Sequence, residues 1–310
     1  MAGAIACVFP GQGSQYLGMG QGMHQAYPLV RQAFAQASEV LGLDLASLCF
    51  EGPEEVLTDT LNAQPAILTL SIALWRVLQE TLFYSLCPLF VAGHSMGEYS
   101  ALVAAGALGF ADALRLVRRR GELMQAAGRE PRGGMAAVIG LDAAMVERVC
   151  ARVQAETGGV VGIANYNSPG QIVISGDHVS LEGAMSLAGE EGARRVIPLA
   201  VSVAGHSALM APATEAFGEI LENTFIQRAR IPIVANVSAE PLEEPAEIRL
   251  ELVAQITSPV RWVESVQYMA ARGVDTFVEV GPGKVLRGLI RRIDSGVRRK
   301  GVGDIIEGLQ

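Results

Sequence analysis

A serine set between two glycines at the end of an apolar run constrains this fold more than any other feature. Leu89–Ala92 reads as a buried strand, Gly93-His94-Ser95-Met96-Gly97 follows at once, and Glu98–Ala105 carries helical periodicity. A chain can turn that sharply from strand to helix, with the serine hydroxyl clear of the sheet, only where neighbouring residues lack a Cβ. The next helix aims its free N–H groups and positive dipole end at the same point, where negative charge would be stabilised. The plainer reading, a glycine-rich turn with an N-capping serine, is outweighed by the strand–turn–helix setting.

The surrounding pattern is that of a parallel α/β protein. Ile5–Phe9 is a short apolar strand that breaks into Pro10-Gly11-Gln12-Gly13-Ser14, and helical patterns follow at Leu29–Leu41, Ala66–Gln79 and Ala111–Ala127. Arg129–Gly134, with its proline and paired glycines, reads as a boundary. Beyond it the order becomes β-α-β-β-α-β: Met135–Ile139, Ala143–Glu156, Val160–Asn165, Gln171–Ser175, Val179–Gly189 and Arg195–Leu199. The turn Asn167-Ser168-Pro169-Gly170 joins the middle strands, and the whole matches the ferredoxin-like split unit. Strands at Ile233–Asn236 and Thr276–Val280 then resume the first pattern. The expected fold is α/β: an α/β-hydrolase-like large subdomain, discontinuous over 1–129 and 199–310, with an inserted ferredoxin-like small subdomain at 130–198. With 310 residues, half of them hydrophobic, the chain is long enough for such a core.

Composition excludes several other classes. Lys and Arg total 24 against 32 Asp and Glu, a net charge of −8, so a protein-wide nucleic-acid surface is not expected. Cys7, Cys49, Cys87 and Cys150 lie far apart without a CxxC pair, which reads as small buried thiols in a reducing cytosol. Met1–Pro10 has no basic stretch of the secretory kind, and the apolar run Pro65–Trp75 stops at Arg76, short of the roughly 20 residues a bilayer needs. No membrane association is expected, and the expected location is cytoplasmic.

A serine nucleophile needs a base, and the chain has four histidines. His24 reads as a surface or capping residue, His178 as a cap at a helix start, and His94 should project away from the serine's acceptor side. His206, in Ser202-Val203-Ala204-Gly205-His206-Ser207, remains by elimination.

Arg120 stands out in the Ala111–Ala127 helix. Ala113, Leu116, Val117, Leu123 and Met124 form one apolar face and Arg120 falls within it, whereas Arg115, Arg118, Arg119 and Glu122 read as a solvated side. An arginine in apolar surroundings is costly unless an anion meets it. Either an internal Asp or Glu pairs with it, or the pocket takes an anionic ligand. The Gly11–Gln15 loop lies where ligands collect in such folds but is too short for a dinucleotide site. Gly281-Pro282-Gly283-Lys284 lacks the Ser or Thr of a phosphate loop and reads as a strand–turn–helix junction with Lys284 near the surface.

Seven stretches, in order, resemble one family. They are Phe9–Gln15, Gly93–Leu102, Arg120–Gln125, Asn165–Gln171, His206 with Leu209-Met210, Gln255 through Pro259-Val260-Arg261-Trp262, and Glu279–Lys284. Together they resemble the malonyl-CoA:acyl-carrier-protein transacylases of fatty-acid synthesis, which are related to polyketide synthase acyltransferase domains. The resemblance implies Ser95 as nucleophile, His206 as base, and the backbone N–H groups of Gln12 and Met96 as oxyanion hole. It further implies Arg120 on the malonyl carboxylate and a backbone carbonyl around Gln255 orienting the histidine in place of a triad acid. It implies ping-pong transfer from malonyl-CoA to acyl carrier protein, with no metal and no other cofactor, by a monomer. One departure borders the implied acyl pocket: Ala204-Gly205 stands where bacterial members usually carry Pro-Ser. An acidic enzyme meeting an acidic carrier needs a local positive patch, for which Arg194, Arg195, Arg287, Arg291 and Arg292 are candidates. The nearest rival is a serine hydrolase or thioesterase, since Asp112, Asp142 and Asp177 lie between Ser95 and His206, and the other alternative is an acyltransferase of polyketide type with different acyl selectivity.

Overall fold

The computed structural model describes residues 3–82, 87–128, 133–201 and 203–307. Its ten strands, numbered in chain order, are β1 (Ala4–Phe9), β2 (Phe90–Gly93), β3 (Gly133–Ile139), β4 (Val161–Ser168) and β5 (Gln171–Asp177), then β6 (Arg195–Pro198), β7 (Ile233–Val234), β8 (Pro241–Leu242), β9 (Val274–Glu279) and β10 (Arg298–Gly301). They form a six-stranded sheet, β10-β9-β1-β2-β7-β8, and a four-stranded sheet, β4-β5-β3-β6. The chain is thus an α/β protein.

Alternation along the central strands explains why helices cover both faces of the larger sheet. Cys7, Phe9 and Val91 face one core with helices Thr60–Leu82 and Phe110–Ala127. Ala6, Val8, Phe90 and Ala92 face the other, against Trp262, Val266 and Met269 of helix Trp262–Ala271 and Leu286, Leu289 and Ile290 of helix Val285–Ile293. Its strands pair in parallel except β8, which runs antiparallel to β7. The carboxyl ends of β1 and β2 lie side by side, Phe9 opposite Gly93. Two loops therefore leave the sheet together at that edge.

The smaller sheet is antiparallel throughout. Helices Ala143–Thr157 and His178–Glu190 pack on one face over Ala136, Val138, Ile172 and Ile174. Each starts at an aspartate: Asp142 accepts from Met145 N at 2.7 Å and Asp177 from Ser180 N at 2.9 Å. The edge strand β4 is stitched to the larger body, with Tyr166 N donating to Val260 O at 2.9 Å and Val260 N to Ala164 O at 2.8 Å.

Several boundaries differ from the sequence reading for physical reasons. The Arg129–Gly134 boundary lies outside the described residues as far as 132, and Gly133 and Gly134 already belong to β3. The four-residue turn after β4 shrinks to Pro169-Gly170, because Gly170 takes a φ of 70° and Ser168 pairs with Gln171. The helix expected from Ala66 starts at Thr60 and runs through Pro65. A proline there cannot donate to the Leu61 carbonyl, but Arg118 Nη1 does so at 3.0 Å. Arg118 is accordingly half-buried rather than wholly solvated. This helix is the one in the described residues that is long and apolar enough to cross a membrane, and most of it is buried inside the protein. The basic stretch Arg291–Lys300 ends in β10, which pairs with β9. Cys7, Cys49 and Cys150 are buried, but Cys87 is exposed, contrary to the reading of all four as buried thiols.

Candidate active site

Ser95 sits where β2 gives way to helix Gly97–Ala104, at a φ of 52° that L-residues rarely hold. The glycines make this possible by close approach. A Cβ on Gly93 would lie 1.9 Å from Gly97 C, and one on Gly97 would lie 2.1 Å from Phe9 O. The turn is braced from β7, whose short span leaves Asn236 free. Asn236 Oδ1 accepts from Ser95 N at 2.7 Å, and its Nδ2 donates to Gly93 O at 2.7 Å.

His206 lies 2.7 Å from Ser95 Oγ through Nε2. Its Nδ1 faces two carbonyl oxygens, Gln255 O at 2.8 Å and Ser258 O at 3.1 Å. Carbonyls only accept, so Nδ1 carries the proton and Nε2 is left to accept from the serine hydroxyl. Burial pushes the imidazole pKa down to about 3, and the Arg120 cation pushes the same way. The resting ring is neutral.

Arg120 is 3% exposed. Its Nη1 donates to Gln64 Oε1 at 3.0 Å, and its Nη2 to Gln255 Oε1 at 3.1 Å and to Ser95 Oγ at 3.3 Å. Nε is buried without a partner. Among the described residues no carboxylate lies within 4.0 Å of this guanidinium, which decides against the internal ion pair left open by the sequence.

The loop after β1 closes over the serine turn: a Cβ on Gly11 would lie 2.3 Å from His94 O. Gln12 is tied down through its side chain, which accepts from Thr60 Oγ1 at 3.0 Å, and Thr60 accepts in turn from Gln64 Nε2 at 2.9 Å. Among the described residues the backbone N–H groups of Gln12 and Met96 have no acceptor. A cavity of about 490 Å³ opens beside Gln12 and Thr60, walled by Ala200, Val201 and Val203.

The other titratable residues stand elsewhere. His94 Nε2 lies 2.7 Å from Asn167 Oδ1, so that ring is turned from the serine hydroxyl. His24 packs edge-on against Phe34 and Phe50. His178 is exposed and opens its helix rather than capping it, the cap being Asp177. Asp142 is likewise a helix cap and Asp112 an exposed partner of Arg115, so none of the three aspartates orients His206. Among the described residues no three His, Cys, Asp or Glu side chains are grouped to hold a metal ion. Arg194, Arg195 and Arg292 line one cleft of about 540 Å³, whereas Arg287 pairs with Glu279 and Asp304.

Sequence reasoning missed Gln64, Asn236, Ser258 and Glu98. Glu98 is 1% exposed; one oxygen accepts from Asn236 N at 3.0 Å and the other from Gln255 Nε2. Burial and the nearby Glu251 raise its pKa well above the usual carboxylate range, while those hydrogen bonds oppose the rise. An acid in a helix's first turn reads in sequence as dipole compensation, which hides this role.

A serine, a neutral imidazole and a buried cation that meets no carboxylate among the described residues, on one sheet edge, define an acyl-transfer type of site. The family model described as "Acyl transferase domain" matches residues 6–302, and the chain belongs to that family. Within it, the chain is a member of the malonyl CoA-acyl carrier protein transacylases. It is 48% identical to the enzyme of that name from Bacillus subtilis (strain 168) over 300 residues, covering 97% of this chain and 93% of the relative. The Haemophilus influenzae counterpart is 49% identical over 301 residues, with 97% and 96% covered. Among solved structures, a malonyl-transacylase in complex with its holo acyl-carrier protein from a type II polyketide synthase superposes with a TM-score of 0.95. It is 45% identical, with 99% of each chain covered. An acyl carrier protein S-malonyltransferase from Vibrio cholerae gives 0.93 at 44% identity, with 98% of this chain and 99% of that one covered.

Proposed function

We propose that this chain moves a malonyl group from malonyl-CoA to the phosphopantetheine thiol of an acyl carrier protein, through a malonyl ester on Ser95, and so supplies fatty-acid synthesis. The observation that carries this reading is Arg120, a buried guanidinium held by neutral groups alone, 3.3 Å from the serine hydroxyl. Its burial calls for an anion, and the free carboxylate of a malonyl group reaches it while the thioester carbonyl lies at Ser95.

The chemistry runs in two matching halves. His206 Nε2 takes the hydroxyl proton as Ser95 Oγ attacks the thioester carbon. The carbonyl electrons move onto oxygen, where the N–H groups of Gln12 and Met96 receive them, each worth about 3 kcal/mol. Collapse breaks the C–S bond, and CoA leaves with the proton from His206. The carrier thiol then gives its proton to Nε2 and attacks the ester carbon, and Ser95 Oγ departs and is reprotonated. Because Arg120 lowers the basicity of His206, a malonyl carboxylate on Arg120 offsets that effect and strengthens the base as the acyl group seats.

In this reading residues 1–129 and 199–310 form an α/β-hydrolase-like body, and 130–198 a ferredoxin-like insert. Support for the insert is the strand order β4-β5-β3-β6 with both helices on one face. The carrier docks at the cleft of Arg194, Arg195 and Arg292, none of which pairs with an acid among the described residues. Three residues of chain lead from Asn167, the partner of His94, to Gly170 in that cleft. The setting is cytoplasmic, in keeping with free cysteines.

Replacing Arg120 by Ala tests the reading. The KM for malonyl-CoA should rise by about tenfold or more, the scale of one charge-assisted hydrogen bond, and the preference over acetyl-CoA should collapse. Unchanged selectivity would remove the malonyl carboxylate from this site.

A further inference from the structure

We infer that Glu98 is a positioning residue for recognition of the acyl carboxylate, because, together with the Ser95 carbonyl, it holds the Gln255 side-chain amide with its oxygen toward Arg120. The inference rests on the proposed role of Arg120 and extends it. Gln255 is fully buried, and its side chain touches three groups. Nε2 donates to Ser95 O at 3.1 Å and to a Glu98 oxygen, while Oε1 accepts from Arg120 Nη2 at 3.1 Å. An amide turned end for end keeps its shape but exchanges donor and acceptor. Turned over here, it would point an NH2 group at a guanidinium and an oxygen at the Ser95 carbonyl and at a Glu98 oxygen. A guanidinium only donates and a carbonyl only accepts, so the amide has one polarity, and the Glu98 oxygen that accepts from Nε2 is the side-chain contact that holds it there.

The Glu98 carboxylate is itself tethered, its second oxygen accepting from Asn236 N at 3.0 Å. It therefore orders the arginine from one amide away without touching it. An acid in direct contact would neutralise the guanidinium and compete with substrate for its N–H groups. At one remove, Glu98 supplies orientation and leaves the cation open to an incoming carboxylate. Gln255 also lends its backbone carbonyl to His206 at 2.8 Å, so one residue aligns base and arginine together.

The test compares kcat/KM for malonyl-CoA and acetyl-CoA in the full-length enzyme. Glu98→Gln replaces an accepting oxygen by a group that also carries a donor, which weakens the hold on Gln255 Nε2 and loosens the amide against Arg120. The malonyl-to-acetyl ratio should fall by about tenfold or more, chiefly through KM for malonyl-CoA. A ratio within about threefold of wild type would overturn the inference, even if both activities drop, because damage to the fold lowers both alike. Gln255→Leu gives a second reading if that variant does not fold: it removes the amide and keeps the backbone carbonyl, and the same fall is expected. In the double variant the two losses should not add, since both act through one amide; additive losses would equally overturn the relay. A wild-type enzyme that formed no malonyl ester would instead refute the proposed function, which separates the two failures.

Discussion

At the scale of the residue, His206 is a group held away from its ordinary chemistry. Burial is the main cause of a pKa pushed down to about 3, and two carbonyls on Nδ1 only partly oppose it. The native ring stays neutral where the unfolded ring, with an ordinary value of 6.5, takes up a proton. The unfolded state thus binds more protons between these limits, and stability falls as the pH drops from about 6.5 toward about 3. By pH 5 the loss from this residue is about 2 kcal/mol. Urea denaturation at pH 7 and pH 5 should show it as a larger drop for the wild type than for His206→Gln; equal drops would contradict the neutral buried ring. Ser95, His206 and Arg120 were legible because each breaks a local pattern, as a hydroxyl on a glycine turn, the histidine left by elimination, and a cation on an apolar face. Gln64, Asn236 and Glu98 break none. Their importance comes from hydrogen bonds 56, 141 and 157 residues apart, and spacing carries no trace of such contacts.

At the scale of the element, the serine turn exists because β1, β2 and the following helix meet without side chains between them. Gly97→Ala would put a methyl group 2.1 Å from Phe9 O and 2.8 Å from Pro10 O, backbone atoms that cannot swing aside. Destabilisation of about 2 kcal/mol or more is expected, together with lost labelling of Ser95 by a fluorophosphonate. A variant with wild-type stability and labelling would show the approach to be looser than described. Short apolar runs bounded by turn residues, alternating with amphipathic helical stretches, revealed the elements between 133 and 198. They failed at Pro65, where a distant side chain, Arg118, takes over the carbonyl that proline leaves free. They failed again at β10, a basic edge strand with too little apolar patterning to announce itself.

At the scale of the whole molecule, net charge and its distribution point in opposite directions. The chain carries −8, yet three arginines without acidic partners among the described residues gather at one cleft. Reversing Arg194, Arg195 and Arg292 to Glu should raise KM for the holo-carrier by about tenfold and flatten its salt dependence. Ester formation from malonyl-CoA should stay as in the wild type. Loss in the CoA half-reaction instead would assign the cleft to the phosphates of CoA. The candidates Arg194, Arg195, Arg287, Arg291 and Arg292 were readable as residues, but their grouping was not, because it depends on how β6, the β4–β5 turn and helix Val285–Ile293 meet.

The most direct measurement is the intact mass of the protein after brief exposure to malonyl-CoA, followed by a chase with holo acyl carrier protein. One malonyl adduct should form, map to the peptide holding Ser95, be absent from Ser95→Ala, and pass to the carrier as free enzyme returns. An adduct that persists in Ser95→Ala, or one released only as malonate while the carrier stays unloaded, would contradict transfer through this serine.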